Sequence, residues 1–175
     1  MKILLNILLS FLCLINYLLC QDVNHNTKVR DFISNPFNLL INNNDDVSYK
    51  YFTNLKFPYE IIKSDTINNF NDSIDTLITK KYKGFLLEFY KIKNTNKILL
   101  SQIIIDSSSI TLMYNICIGM NYKMIESKLG NPNQIDKNNG YLIYTYATDE
   151  DAVNYAAFII KDEILRKIII MYYVD

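Results

Sequence analysis

Apolar positions in the second half of the chain follow two periods, one of them helical. Over residues 118–132, Met124, Ile125 and Leu129 form a narrow stripe at helical spacing. Asn121 stands where an N-cap belongs, and Met120 with Ile125 is placed for a hydrophobic staple. Gly130 is expected in a left-handed conformation at the end, and Pro132 stops the helix from resuming. Three apolar runs follow, over residues 141–147, 153–161 and 163–174, and they predict strands. The first half carries three comparable runs, over residues 76–81, 84–92 and 97–105, with Asn94-Thr95-Asn96 as the turn between the last two.

The two halves align with each other. Leu55, Pro58 and Ile61 match Leu129, Pro132 and Ile135 at a constant offset of 74. Residues 98–105 match 163–170 at an offset of 65, pairing Ile103 with Ile168 and Ile105 with Ile170. The polar run over residues 64–75 is the natural place for the extra residues of the first copy. A first helix is expected over residues 47–55, capped by Asp45 or Asp46, while Pro36 interrupts any helix over residues 29–40. The expected fold class is therefore α+β, with two tandem units, each a short helical segment packed on an antiparallel β-meander. The boundaries are 29–106 for the first unit, 107–115 for a junction and 116–175 for the second. Within that scheme residues 110–118 are an extended lead-in.

The strands are too apolar for a sheet with one wet face. Neither residues 156–160 nor 168–174 alternate, so both faces ask for cover. The helices shield one face, and the other unit or a partner must shield some of the second. Tyr141, Tyr144, Tyr146, Tyr155, Tyr172 and Tyr173 fall on these strands. Tyrosine joins rigid contact area to a polar tip and is enriched in interfaces. Tyr144, Tyr146 and Tyr155 are the candidate partner-binding residues, against the alternative of an ordinary aromatic core with cross-strand pairs.

Residues 1–20 read as an export signal, with Lys2 as the positive start and an apolar run of about 17 residues, at the short limit for spanning a bilayer. Leu18-Leu19-Cys20 resembles a bacterial lipobox, which implies acylation of Cys20 and a tether to the membrane surface. Leu19 stands where that pattern has a small residue, and ordinary cleavage near Cys20 or an uncleaved anchor are the alternatives. Residues 21–28 follow as a polar tether.

Charge and chemistry narrow the function by subtraction. Lysine and arginine number 18, as do aspartate and glutamate, so no basic excess supports nucleic-acid binding. Without the leader, Cys117 is the one cysteine left, so no internal disulfide forms and a buried thiol is expected. His25 is the single histidine and lies in the tether, away from any partner for a triad or a metal. Asp149-Glu150-Asp151 fits a solvated turn better than a cation site, and Asn71-Asp72-Ser73 matches a glycosylation acceptor. No catalytic constellation, metal site or cofactor motif emerges, and the chain is expected not to be an enzyme.

Ile118-Gly119-Met120-Asn121, Leu129-Gly130-Asn131-Pro132 and Tyr144-Thr145-Tyr146 together resemble the BamE (SmpA/OmlA) family pattern. The tandem arrangement resembles the beta-lactamase inhibitory protein (BLIP-like) family. This resemblance implies an exported protein that binds other proteins and has no catalytic centre. The expectation is a non-enzymatic interaction module of the cell envelope or periplasm, whose partner is another envelope protein. A secreted enzyme inhibitor, or a small-ligand carrier with a cavity between the units, are the alternatives.

Overall fold

A computed structural model describes residues 25–38, 58–67, 74–95, 97–148 and 153–174. Helix α1 covers residues 25–34 and helix α2 covers Tyr122–Leu129. The strands are β1 (Tyr59–Ile67), β2 (Ile74–Tyr82), β3 (Phe85–Lys91), β4 (Ile98–Ile105), β5 (Thr111–Leu112), β6 (Ile116–Cys117), β7 (Gln134–Asn138), β8 (Tyr141–Ala147), β9 (Tyr155–Lys161) and β10 (Ile164–Met171). Eight of them form one antiparallel sheet in the order β1-β2-β3-β4-β10-β9-β8-β7.

This architecture corrects the expectation of two units that each carry a helix on their own meander. The meanders β1–β4 and β7–β10 fuse through their last strands, with Ile168 opposite Ile105, Ile169 opposite Ile104 and Ile170 opposite Ile103. Strands as apolar as β4 and β10 make poor edges, and pairing them removes two unpaired ladders at once. Ile103, Ile105, Ile168 and Ile170 are fully buried along the seam, each contributing roughly 1.5–3 kcal/mol of apolar burial.

Helix α1 is the second reason. Val29, Phe32 and Ile33 share one face and are fully buried. Phe32 packs on Phe158 of β9 at 5.7 Å between ring centroids, while Phe37, just past the helix, packs on Phe85 of β3 at 5.3 Å. The Tyr172 hydroxyl donates to the Ile33 carbonyl at 2.7 Å. A segment from the first half thus covers strands of both halves, and one hydrophobic core runs across the molecule. The helix takes in residues 25–28 of the segment expected as a tether and ends before Pro36, as proline's missing N–H requires.

Helix α2 has the expected ends with two differences. The Asn121 side chain accepts from the Lys123 N–H at 3.0 Å, and Ile125 and Leu129 face the core. Met124 is exposed instead of joining them. Gly130 has positive φ (85°) with an extended ψ (−167°), a region open to glycine and outside the left-handed helical well. The lead-in over residues 110–118 becomes the β5–β6 pair around a 3-10 turn at Met113–Asn115. The helix expected at 47–55, the Leu55 match, Cys20, Asp45-Asp46, Asn71-Asp72-Ser73 and Asp149-Glu150-Asp151 lie outside the described residues.

Candidate functional site

Both described helices lie on one face of the sheet. The opposite face carries a row of directly paired residues: Lys81, Leu86, Ile104, Ile169, Ala157 and Thr145, running from β2 to β8. The four in the middle are apolar and half-buried, although no described helix crosses them. Their mutual contact accounts for part of that burial. The row is also symmetric about the seam. The offset of 65 that aligns Ile104 with Ile169 is the offset at which these two residues face each other.

The three candidate tyrosines separate between the faces. Tyr144 and Tyr146 point into the core, at 5% and 0% exposure, and are unavailable to a partner. Tyr146 sits edge-on to Phe158 at 5.3 Å and donates its hydroxyl to the Gly130 carbonyl at 2.9 Å. Burial pushes its pKa well above the usual tyrosine value. Tyr144 meets Tyr122 edge-on at 5.8 Å, and burial, helped by a hydrogen bond with Glu126, pushes its pKa up to about 12. Tyr155 pairs with Met171 and lies half-buried on the open face. The sequence expectation groups the three together; the β8–β9 register and the position of the helices, both decided elsewhere in the chain, separate them.

One end of the open face holds a shallow cleft of about 380 Å³. Ile143 and Ile159 form its floor, and Tyr141, Asn138, Arg166 and Lys167 stand around it. The Lys161 ammonium lies over the Tyr141 ring at 5.3 Å. A β-bulge in β10 builds the cationic side. Leu165 pairs with Ile160 and Lys167 with Ile159, so Arg166 is the extra residue. Leu165 and Ile168 are buried, and the two cations between them both turn outward, which a regular strand forbids.

The sequence reading singled out neither cation. A signal was present: Leu165-Arg166-Lys167-Ile168 places two polar residues together in a strand whose neighbours alternate or are apolar. The β7–β8 hairpin was missed as well, and its mark is Asn139-Gly140, both at positive φ (47° and 80°).

Other chemistry-bearing residues have structural roles. Cys117 is a free, half-buried thiol. His25, expected in a tether, sits on α1 with its Nδ1 hydrogen-bonded to the Leu129 carbonyl at the end of α2. Asp75 is buried on β2, accepting from the Tyr90 hydroxyl at 2.5 Å and the Lys93 N–H at 2.7 Å. Among the described residues no group of three or more histidine, cysteine or carboxylate side chains is arranged to hold a metal ion.

Comparison of the chain with protein-family models, with curated proteins and with solved structures finds no match in any of the three.

Proposed function

We propose that the chain is an exported, non-enzymatic protein-interaction module that seats a partner on the face of its sheet opposite the described helices. One observation carries this reading: Leu86, Ile104, Ile169 and Ala157 form an apolar row across the middle of that face. An antiparallel sheet that leaves a face to water alternates apolar with polar residues, and here the central strands do not. Contiguous apolar surface rimmed by polar residues, such as Lys81 and Thr145 at the ends of this row, is the usual mark of an interaction site. Export rests on residues 1–20, and the membrane-anchored version rests on acylation of Cys20.

The test is a photo-crosslinking amino acid placed at Thr145 on the open face and at Ser127 on the exposed side of α2. In the native host, Thr145 is expected to give one discrete adduct and Ser127 none. Ile169→Lys, which leaves the buried face intact, is expected to abolish that adduct. Equal labelling from both positions, or none from Thr145, overturns the reading. Mass spectrometry of the mature N-terminus separately decides between acylated Cys20 and a cleaved leader.

A further inference from the structure

The molecule contains two equivalent bulges that differ in chemistry. In β4, Glu88 pairs with Gln102 and Phe89 with Leu100, so Ser101 is the extra residue. Ser101 and Gln102 turn outward between buried Leu100 and Ile103, as Arg166 and Lys167 do between Leu165 and Ile168. The offset of 65 carries one pair onto the other. The first bulge satisfies itself. Ser101 donates to Glu88, reaching its carbonyl at 3.1 Å and its Oε1 at 3.3 Å, and Gln102 Nε2 approaches Met171 Sδ at 3.0 Å. At the second bulge neither Arg166 nor Lys167 forms an ion pair or a side-chain hydrogen bond among the described residues.

The cross-strand neighbours diverge in the same sense. Beside Gln102 stand Glu88 and Thr79; beside Lys167 stand Ile159 and Ile143. One framework therefore holds a closed polar knot in one half and, in the other, two cations over an apolar floor that have no partner among the described residues.

We infer that the second bulge reads an acidic residue on the docked partner. This rests on the interaction-module reading and gives it a ligand class: an extended, acidic-aliphatic peptide segment. An apolar side chain of that segment lies on Ile143 and Ile159, and a neighbouring carboxylate takes the Arg166 guanidinium and the Lys167 ammonium. A guanidinium offers a carboxylate two parallel N–H donors, and the partly shielded cleft strengthens the contact relative to open surface. The amides of Asn138 and Asn139 lie beside it for the segment's backbone. Charge placement favours one carboxylate over an anionic membrane. Asp136 lies on the same face opposite Ile143, gripped by Gln134 Nε2 at 3.1 and 2.9 Å, and Asp162 and Glu163 sit exposed at the adjoining turn. A plane of negative headgroups would meet these three acids together with Arg166, Lys167 and the Lys161 that lies over Tyr141.

The full chain, purified as its host exports it, is titrated with an acetylated, amidated peptide alternating leucine, threonine and glutamate. A second peptide with glutamine for glutamate is the control, and binding is followed by fluorescence anisotropy. The acidic peptide is expected to bind roughly tenfold tighter or more, with the difference shrinking as salt rises. Arg166→Ser with Lys167→Gln, which copies the first bulge into the second, is expected to erase the difference and leave the circular dichroism spectrum unchanged. Equal binding of the two peptides overturns the inference, as does a discrimination that survives the double substitution. Binding to phosphatidylserine vesicles that needs Arg166 and Lys167, without peptide discrimination, also overturns it in favour of a membrane contact. If Ile169→Lys abolishes the Thr145 adduct while the peptides bind equally, the docking face stands and the acid-reading role falls. If the peptides are discriminated but no adduct forms, the docking face falls and an isolated acid-binding cleft remains.

Discussion

At Gly130 the chain answers to several neighbours at once. Its N–H donates to the Glu126 carbonyl at 2.7 Å, closing α2, and its own carbonyl accepts from Tyr146. A Cβ built there would lie 2.4 Å from His25 Nδ1, on a backbone at φ +85° that side chains rarely adopt. Gly130→Ala is therefore expected to cost about 2–3 kcal/mol in urea unfolding, from backbone strain and collision together. Adding His25→Ala should return the collision part and leave the strain; a double mutant no more stable than Gly130→Ala would assign the whole cost to the backbone. Two tyrosines, half-buried Tyr90 and buried Tyr144, set a second residue-scale expectation. The hydrogen bond to Asp75, then burial, pushes Tyr90 up to about 12, and burial, then Glu126, does the same for Tyr144. Both values lie above the ordinary 10.0, so their stabilising effect is complete below pH 10 and disappears as pH climbs toward 12, where the unfolded chain has released protons that the folded one retains. The melting temperature should be flat up to about pH 10 and then fall. Tyr144→Phe should make that fall shallower, checked by thermal melts alongside tyrosinate absorbance.

Among the elements, the strands that bury a face were legible and the edge strands were not. β8 occupies the 141–147 predicted from its apolar run, and β4 differs from its expectation by one residue. β1 and β7 carry Glu60, Lys63 and Asp65, and Gln134, Asp136 and Lys137, because an edge strand draws its order from the neighbour's ladder and needs no apolar stripe. Tyr144, Tyr146 and Tyr155 form one candidate set in the sequence, because alternation within a strand reveals neither the register between β8 and β9 nor which face the helices cover. The cleft escaped for a related reason: a bulge is a departure from the period, so period two alone does not put Arg166 and Lys167 side by side on one face. Helix α1 escaped because its evidence is tertiary, residing in Phe158 and Tyr172 far along the chain. Phe32→Ala tests that bridging role. Removing a fully buried ring should cost about 3–5 kcal/mol, and the loss should register equally in hydrogen-exchange protection of β3 and of β9. Protection lost in β9 alone would confine α1 to the second half.

For the whole molecule, the fused sheet and shared core decide whether the sequence repeat is also a folding repeat. Cutting between β6 and β4 would expose Ile103 and Ile105 on one fragment and Ile168 and Ile170 on the other, all four now fully buried. The fragment over residues 116–175 would also lose Val29, Phe32 and Ile33, which roof it, and the His25 contact that holds the end of α2. A chain of about 60 residues buries barely enough surface to fold alone even with its core intact. We therefore expect residues 116–175 to show a collapsed amide spectrum by NMR, and residues 21–115 to do the same. An equimolar mixture should regain dispersion as β4 and β10 pair, since the seam is apolar and its register is fixed by four cross-strand pairs. The intact chain should melt in one transition reported identically by both halves. A well-dispersed spectrum from residues 116–175 alone would mean that the seam joins two finished domains, and the open face would then be two short surfaces in place of one row continuous across the seam.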